Sequence, residues 1–414
     1  MDNVYDIKYR ENLNFILPAK YRLKEIDQED RIKTAVFVHL HYPDTTAFYL
    51  AYLKSVPEDI DIYITFSDER VKTEILKSTI SGRGNLKIIE KRNRGRDISS
   101  LLVACHEWIK EYEYICFLHD KKEKRCEETE DTRKWVRCLW ENTIGSPELI
   151  DNVLFTFHEN PGLGVLVPPF FMSGHITTLY DNGIWYNDFL LTKKLAEHMR
   201  LKCDLNEEKT PITLGTVFWT RVSALKKLFE MNWTYEDFEE EPLGNDATIS
   251  HAVERILAYT AQDAGFDTGW LMTDRYMGEY FNEIQTVLKA AFHRLKTSLG
   301  IWRIAELNDY EIRMQKMLDF IHRYKKIYIY GAGAWAKRCL AMLSGEVKGP
   351  EAFLVSSRHG NPESILGIPV LLLQQVVLNE ECGLIIAADK KYHQEILDTI
   401  NSGFPGYSNL YFMG

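Results

Sequence analysis

The sequence predicts an α/β protein: a Rossmann-type sheet flanked by helices, followed by a second, smaller Rossmann-like α/β domain. Short β-branched and aromatic runs alternate with amphipathic stretches through residues 33–118, the grammar of parallel strands joined by helices. A fresh strand, turn and helix, KKIYIYGAGAWAKRCLAML, begins after residue 323. With 414 residues the chain is also too long for one ordinary domain. Pattern and composition divide it into a charged leader (1–30), a main α/β domain (31–282), a helical connector (283–322) and a Rossmann-like domain (323–414).

Residues 33–40 (KTAVFVHL) read as a buried strand, stopped by Pro43 in the turn His41-Tyr42-Pro43-Asp44 and followed by a helix over 46–55. The second strand, DIYITF (61–66), ends on Ser67-Asp68 ahead of a helix over 69–81. A third strand covers 85–90, then come the turn Asn93-Arg94-Gly95-Arg96-Asp97, a helix, and a fourth strand over 114–118 that ends on His119-Asp120-Lys121-Lys122. All these polar loops follow strands, where open α/β sheets bind their ligands. Helices over 131–142 and 147–160 lead to a strand at 164–167, closed by two prolines, and to a Tyr/Trp/Asn-rich loop at 179–189. TLGTVFW (213–219) reads as a strand and 221–229 as a helix. An acidic loop at 235–244 leads to Asn245-Asp246, either of which would cap a helix over 247–264. In the last domain a G-x-G-x-x-A turn (Gly331, Gly333, Ala336) precedes a helix and strands near 351–355 and 383–388.

Composition narrows the function. A formal charge of −10 argues against nucleic acid as a partner, since phosphates call for a basic surface. Seven cysteines, odd in number and without a CxxC pair, favour a reducing compartment over disulfides or zinc. No apolar core of signal-peptide length opens the chain and no run of about 18 apolar residues occurs, so a cytoplasmic protein is expected. Residues 284–304 place Val287, Leu288, Ala291, Leu295, Leu299 and Trp302 at helical spacing among Lys289, Arg294, Lys296 and Arg303. Such a helix either packs between domains or lies on an anionic membrane as a peripheral contact.

Three motifs carry candidate chemistry. In Asn93-Arg94-Gly95-Arg96-Asp97, glycine permits close backbone approach, arginine offers bidentate bonds to phosphate and aspartate accepts from sugar hydroxyls; the plain alternative is a solvated loop with Asp97 as a helix cap. In His119-Asp120-Lys121-Lys122, Asp120 can hold a divalent cation, Mg²⁺ or Mn²⁺, against a diphosphate. The second carboxylate of such a site is missing, and a lysine ammonium can neutralise the diphosphate instead. Asp246, near Glu239, Glu240 and Glu241, is a candidate base for deprotonating a hydroxyl, or simply a helix cap. His39 and His41 fit loop or core better than ligation. The Gly331 turn lacks the acidic residue that a dinucleotide site places about twenty residues on; LVSSRH stands there.

VHLHYPD, DIYIT, NRGRDIS, ICFLHDKK, GVLVPP, LGTVFWTR and NDATISHAVER, in this order, resemble the rhamnan synthesis protein F family of bacterial polysaccharide glycosyltransferases over about residues 31–280. The resemblance implies a GT-A-like architecture, a nucleotide-sugar half joined to an acceptor half. It implies inverting transfer of a deoxyhexose, commonly L-rhamnose from dTDP-β-L-rhamnose, to a growing lipid-linked oligosaccharide at the inner face of the membrane. On this chain it sets His41, Asp44, Ser67 and Asp68 toward base and ribose, with Asn93, Arg94, Arg96 and Asp97 beside them. His119, Asp120, Lys121 and Lys122 take the place of an Asp-x-Asp metal motif, Asp246 that of the base, and Gly215, Trp219 and Arg221 the acceptor side. The last domain lies outside the resemblance. A non-catalytic nucleotide-sugar or dinucleotide sensor, or an NAD-dependent sugar-modifying enzyme, would instead use Gly331 and Gly333.

Overall fold

The computed structural model describes residues 14–24, 32–122, 130–169, 185–207, 213, 215–241, 243, 247–299, 306–343 and 349–413. The chain forms two compact units, 1–284 and 285–414.

The first unit holds β1 (Asn14–Leu17), β2 (Thr34–His39), β3 (Asp61–Phe66), β4 (Leu86–Glu90), β5 (Tyr114–His119), β6 (Leu163–Val167), β7 (Phe218–Arg221) and β8 (Asp267–Thr273). They form one sheet in the order β1-β8-β6-β7-β5-β2-β3-β4. Its helices are α1 (Thr46–Tyr52), α2 (Glu69–Lys77), α3 (His106–Ile109), α4 (Glu130–Ile144), α5 (Pro147–Glu159), α6 (Phe189–His198), α7 (Lys226–Phe229) and α8 (Ile249–Asp263); α9 (Asp274–Arg294) follows β8. Every residue of β2 and β5 is buried because helices cover both faces, which is why both strands read as continuous apolar runs. Alternate side chains go to opposite faces. Val36, Val38, Ile62, Leu118 and Trp219 share one core with Trp140 of α4, and Phe37, Tyr63, Phe117 and Phe218 share the other with Val253 and Tyr259 of α8.

Two features of this sheet position the site. From β2 the chain proceeds through β3 and β4 on one side, while β5 pairs with β2 on the other, so a topological switch point lies between β2 and β5. Among the described strands of this sheet β7 alone runs antiparallel to its neighbours, β5 and β6. Its start therefore lies at the carboxyl ends of the parallel strands and its end, Arg221, lies opposite Tyr114 at the amino end of β5.

Several elements depart from the expectation. Within the leader expected over 1–30, residues 14–17 form a strand: β1 extends the sheet beside β8, Arg22 pairs with Asp151 at 2.6 Å, and Asn152 donates to the Pro18 and Tyr21 carbonyls. Four strand residues are too few for a visible alternation. The strand expected over 213–219 begins only at Phe218, and α6 starts where the loop at 179–189 was expected to end. Helix α8 is capped by Thr248, whose hydroxyl accepts from the His251 amide, so the cap is neither Asn245 nor Asp246, both of which lie outside the described residues.

The second unit contains α10 (Glu306–Ile321), β9 (Lys326–Tyr330), α11 (Ala334–Met342), β10 (Ala352–Val355), β11 (Ser364–Ile365), β12 (Ile368–Leu372), β13 (Cys382–Ala387), α12 (His393–Gly403) and β14 (Leu410–Met413). Strands β12-β10-β9-β13-β14 are parallel, a Rossmann-type order. Gly331, with φ +115°, ends β9; a Cβ there would lie 2.8 Å from the Ala387 carbonyl oxygen, so only glycine fits. After β10 stands Ser356, hydrogen-bonded to the Tyr330 hydroxyl, where a dinucleotide site would carry an acid.

Candidate active site

The switch point is closed by Asp120. This residue follows β5, is 4% exposed, and its Oδ2 accepts from the amides of both His41 and Tyr42 at 2.8 Å. One carboxylate oxygen thereby fastens the loop after β2 to the end of β5. Burial pushes the Asp120 carboxyl up to about 7, against the opposing pull of those two amides. Its neighbour Lys121 is fixed through the backbone, its amide donating to the Tyr49 hydroxyl at 2.9 Å. The Lys121 ammonium lies 4.4 Å from the centre of the Trp135 ring, and burial lowers its pKa while Glu254 and Asp97 oppose the fall. Lys122 pairs with Asp44.

His119 ends β5 and is 8% exposed, with Nε2 2.9 Å from the Gly215 carbonyl oxygen and 3.7 Å from Asp97 Oδ2. Asp97 Oδ2 is buried and has no hydrogen-bond partner. Gly215, at φ +93°, and Thr216, at φ +51°, make the left-handed bend that brings the approach to β7 against His119. Thr216 Oγ1 donates to Glu254 Oε2 at 2.7 Å. Burial pushes the Glu254 carboxyl up, but Arg255 and Lys121, helped by the Gly215 and Thr216 donors, outweigh it and hold the group at about 2. Arg255, 4% exposed, joins Glu254 to the fully buried Asp188, and Asp188 Oδ1 accepts from the Ala247 amide at 2.8 Å.

The start of α8 meets the 93–97 turn. Ser250 Oγ donates to the Gly95 carbonyl at 3.3 Å and Arg96 Nη1 lies 3.3 Å from His251 Nε2. The structure thus gathers Arg96, Asp97, His119, Asp120, Lys121 and Gly215 around the carboxyl ends of β2 and β5, with His41, Lys122 and Asp44 beside them. Ser67, at the end of β3, keeps a buried Oγ without a partner. Asn93 is exposed.

Four expected positions do other work. Arg94 turns to the acidic loop: Nε donates to the Phe238 carbonyl at 2.7 Å and Nη1 to Glu240 at 3.3 Å, so it ties two loops together instead of facing a diphosphate. Asp68 caps α2 and pairs with Arg70, which holds its carboxyl down at about 2. Trp219 is fully buried in the core, its indole donating to the Thr143 carbonyl at 2.9 Å. Arg221, at the far end of the reversed β7, donates to the Phe157 carbonyl and to Glu113. Neither of the last two can meet an acceptor at the carboxyl edge.

The residues present do not fit a resident divalent cation of the two-carboxylate kind. Asp120 has one oxygen committed to two amides, a lysine follows it, and no trio of His, Cys, Asp or Glu among the described residues is arranged to hold a metal. His251, Glu254, Arg255 and Asp188 were missed from the sequence. HAVER did carry a signal, since His251, Glu254 and Arg255 fall on one helical face, but nothing local says what that face meets.

Fold and site define a class: a mixed α/β protein with a cluster of charged side chains at the switch point of its large sheet. The chain belongs to the rhamnan synthesis protein F family, whose model matches residues 1–266. It is similar to the uncharacterized protein WxcX in two strains of Xanthomonas campestris pv. campestris, at 25% identity over 174 residues, 42% of this chain and 23% of the relative. The chain thus spans about a quarter of the length of those relatives. Among solved structures it is similar to S. aureus TarS 1–349, at 13% identity over 55% of each chain with a TM-score of 0.30, a value too low to carry an argument. Among the described residues no helix is long and apolar enough to cross a membrane.

Proposed function

We propose that the chain is an inverting glycosyltransferase of bacterial cell-surface polysaccharide synthesis, GT-A-like, moving L-rhamnose or another deoxyhexose from a nucleoside-diphosphate donor. The acceptor is a growing lipid-linked oligosaccharide, met on the cytoplasmic side of the membrane. The observation that carries this reading is the convergence of Arg96 and Lys121 with Asp97, one of whose buried oxygens lacks a hydrogen-bond partner, at the β2/β5 switch point, inside a family of rhamnan synthesis. Arg96 and Lys121 stabilise the diphosphate as negative charge builds on it, and Asp97 accepts from a sugar hydroxyl. Asp246 takes the proton of the acceptor hydroxyl as it attacks the anomeric carbon.

Positive side chains take the part of a metal in this reading, so EDTA leaves transfer intact; loss of activity restored by Mn²⁺ would reject it. The direct test is a thermal-shift and transfer screen over dTDP-, UDP- and GDP-sugars. Stabilisation by dTDP-rhamnose that is lost in Arg96→Ala supports the proposal, and stabilisation by NAD alone sinks it. Asp246→Asn keeps nucleotide binding and loses transfer by about a hundredfold or more; near-normal transfer in that variant removes the base assignment.

A further inference from the structure

Lys91 follows β4 and has no place in the chemistry above, yet it is 5% exposed. Its Nζ donates to the Arg96 carbonyl at 3.0 Å and lies 3.4 Å from the Arg94 carbonyl oxygen. Gly95 (φ 76°) and Arg96 (φ 48°) are consecutive left-handed residues, and the bend they make turns the carbonyls on either side inward onto the ammonium. Ser99 Oγ reinforces it, donating to the Arg94 carbonyl at 2.5 Å. The Gly95 carbonyl points elsewhere, to Ser250 of α8, and a Cβ at Gly95 would lie 2.6 Å from the Phe238 ring. The turn is therefore wedged between α8 and Phe238, with a cation as its filling.

Among the described residues no carboxylate lies within ion-pair distance of that cation. Asp97 and Glu241 act on it only through space, and His39 and His41 face it from the end of β2. Burial pushes the ammonium down to about 8, with those two carboxylates opposing. A buried charge without a counter-ion is costly, and a methionine would fill the same space more cheaply. The cost makes sense if the shape of the turn matters, because the same turn carries Arg96 to His251 and Asp97 to His119.

We infer that Lys91 is a positioning residue for the nucleoside diphosphate: its ammonium, ringed by the Arg94 and Arg96 carbonyls, holds the turn that presents Arg96 and Asp97 to the crevice. This role rests on the donor-site proposal above. The test is calorimetric titration of the full chain with dTDP at pH 7.5 and 9.0, for wild type, Lys91→Met and Lys91→Arg. Lys91→Met is expected to bind dTDP about tenfold more weakly while melting no lower than wild type. Wild-type affinity falls between pH 7.5 and 9.0, and Lys91→Arg, charged throughout, does not show the fall. Wild-type dTDP affinity in Lys91→Met overturns the inference, as does an equal decline with pH in Lys91→Arg. Should Lys91→Met fail to fold, a flat wild-type affinity from pH 7.5 to 9.0 overturns it alone. Failure of wild type to bind dTDP, UDP or GDP at all strikes the donor-site proposal instead, which separates the two.

Discussion

At the scale of single residues, the two carboxylates of the crevice have opposite fates. Asp97 keeps a buried oxygen without a partner, whereas Asp120 spends an oxygen on two amides. The folded-state value of Asp120, about 7, lies above the 3.8 of the unfolded chain, so between those values the folded protein retains a proton that the unfolded one loses. The stability linked to that proton is fully present below the unfolded value and is lost as pH rises through 7. Asp120→Asn should therefore raise the melting temperature at pH 8 and change it little at pH 4, checked by thermal melts across that range. An asparagine oxygen can still take both amides, so the loop at residues 41–42 stays in place.

Among elements, α8 is the hub. It carries Ser250, His251, Glu254 and Arg255, which reach the 93–97 turn, the approach to β7 and the start of α6. Arg255→Met strands Asp188 and Glu254 together and should cost about 3–5 kcal/mol in urea melts. Elements were legible in the sequence where the sheet is parallel: β2, β3 and β5, apolar runs each ending in a polar loop, and the edge strand β4, half-exposed, all stand within a residue of their expected places. Strand β7 was found but its direction was not, because apolar alternation is the same read either way along a sheet. That is why Gly215 lies in the crevice while Trp219 and Arg221 do not. Arg94 and Arg96 are indistinguishable by type and spacing; only the left-handed bend between them sends one to the acidic loop and the other to α8.

For the whole molecule, the two units have separate cores: Val36, Phe37 and their neighbours in one, Ile327, Phe353 and Ile385 in the other. Separate cores allow separate unfolding steps, and calorimetry is expected to resolve two transitions. Saturating dTDP, binding only the first unit, should raise one of them and leave the other where it was. Movement of the second transition by dTDP or NAD would put a nucleotide at Gly331 after all. The lack of an acid after β10 and the Tyr330–Ser356 hydrogen bond that fills its place predict that NAD moves neither.

Arg96, Thr216 and Ala247 hold positive φ without being glycine, and each is tied to the charged cluster, through His251, Glu254 and Asp188 in turn. Each such conformation stores on the order of 1–3 kcal/mol, sustained by the packing around it. Part of the stability supplied by the deep cores is thus spent on keeping three bends drawn tight, as tension is kept in a sprung latch. Glycine at position 247 should release some of that tension, raising the melting temperature while slowing turnover, so that a sturdier protein would be a poorer one.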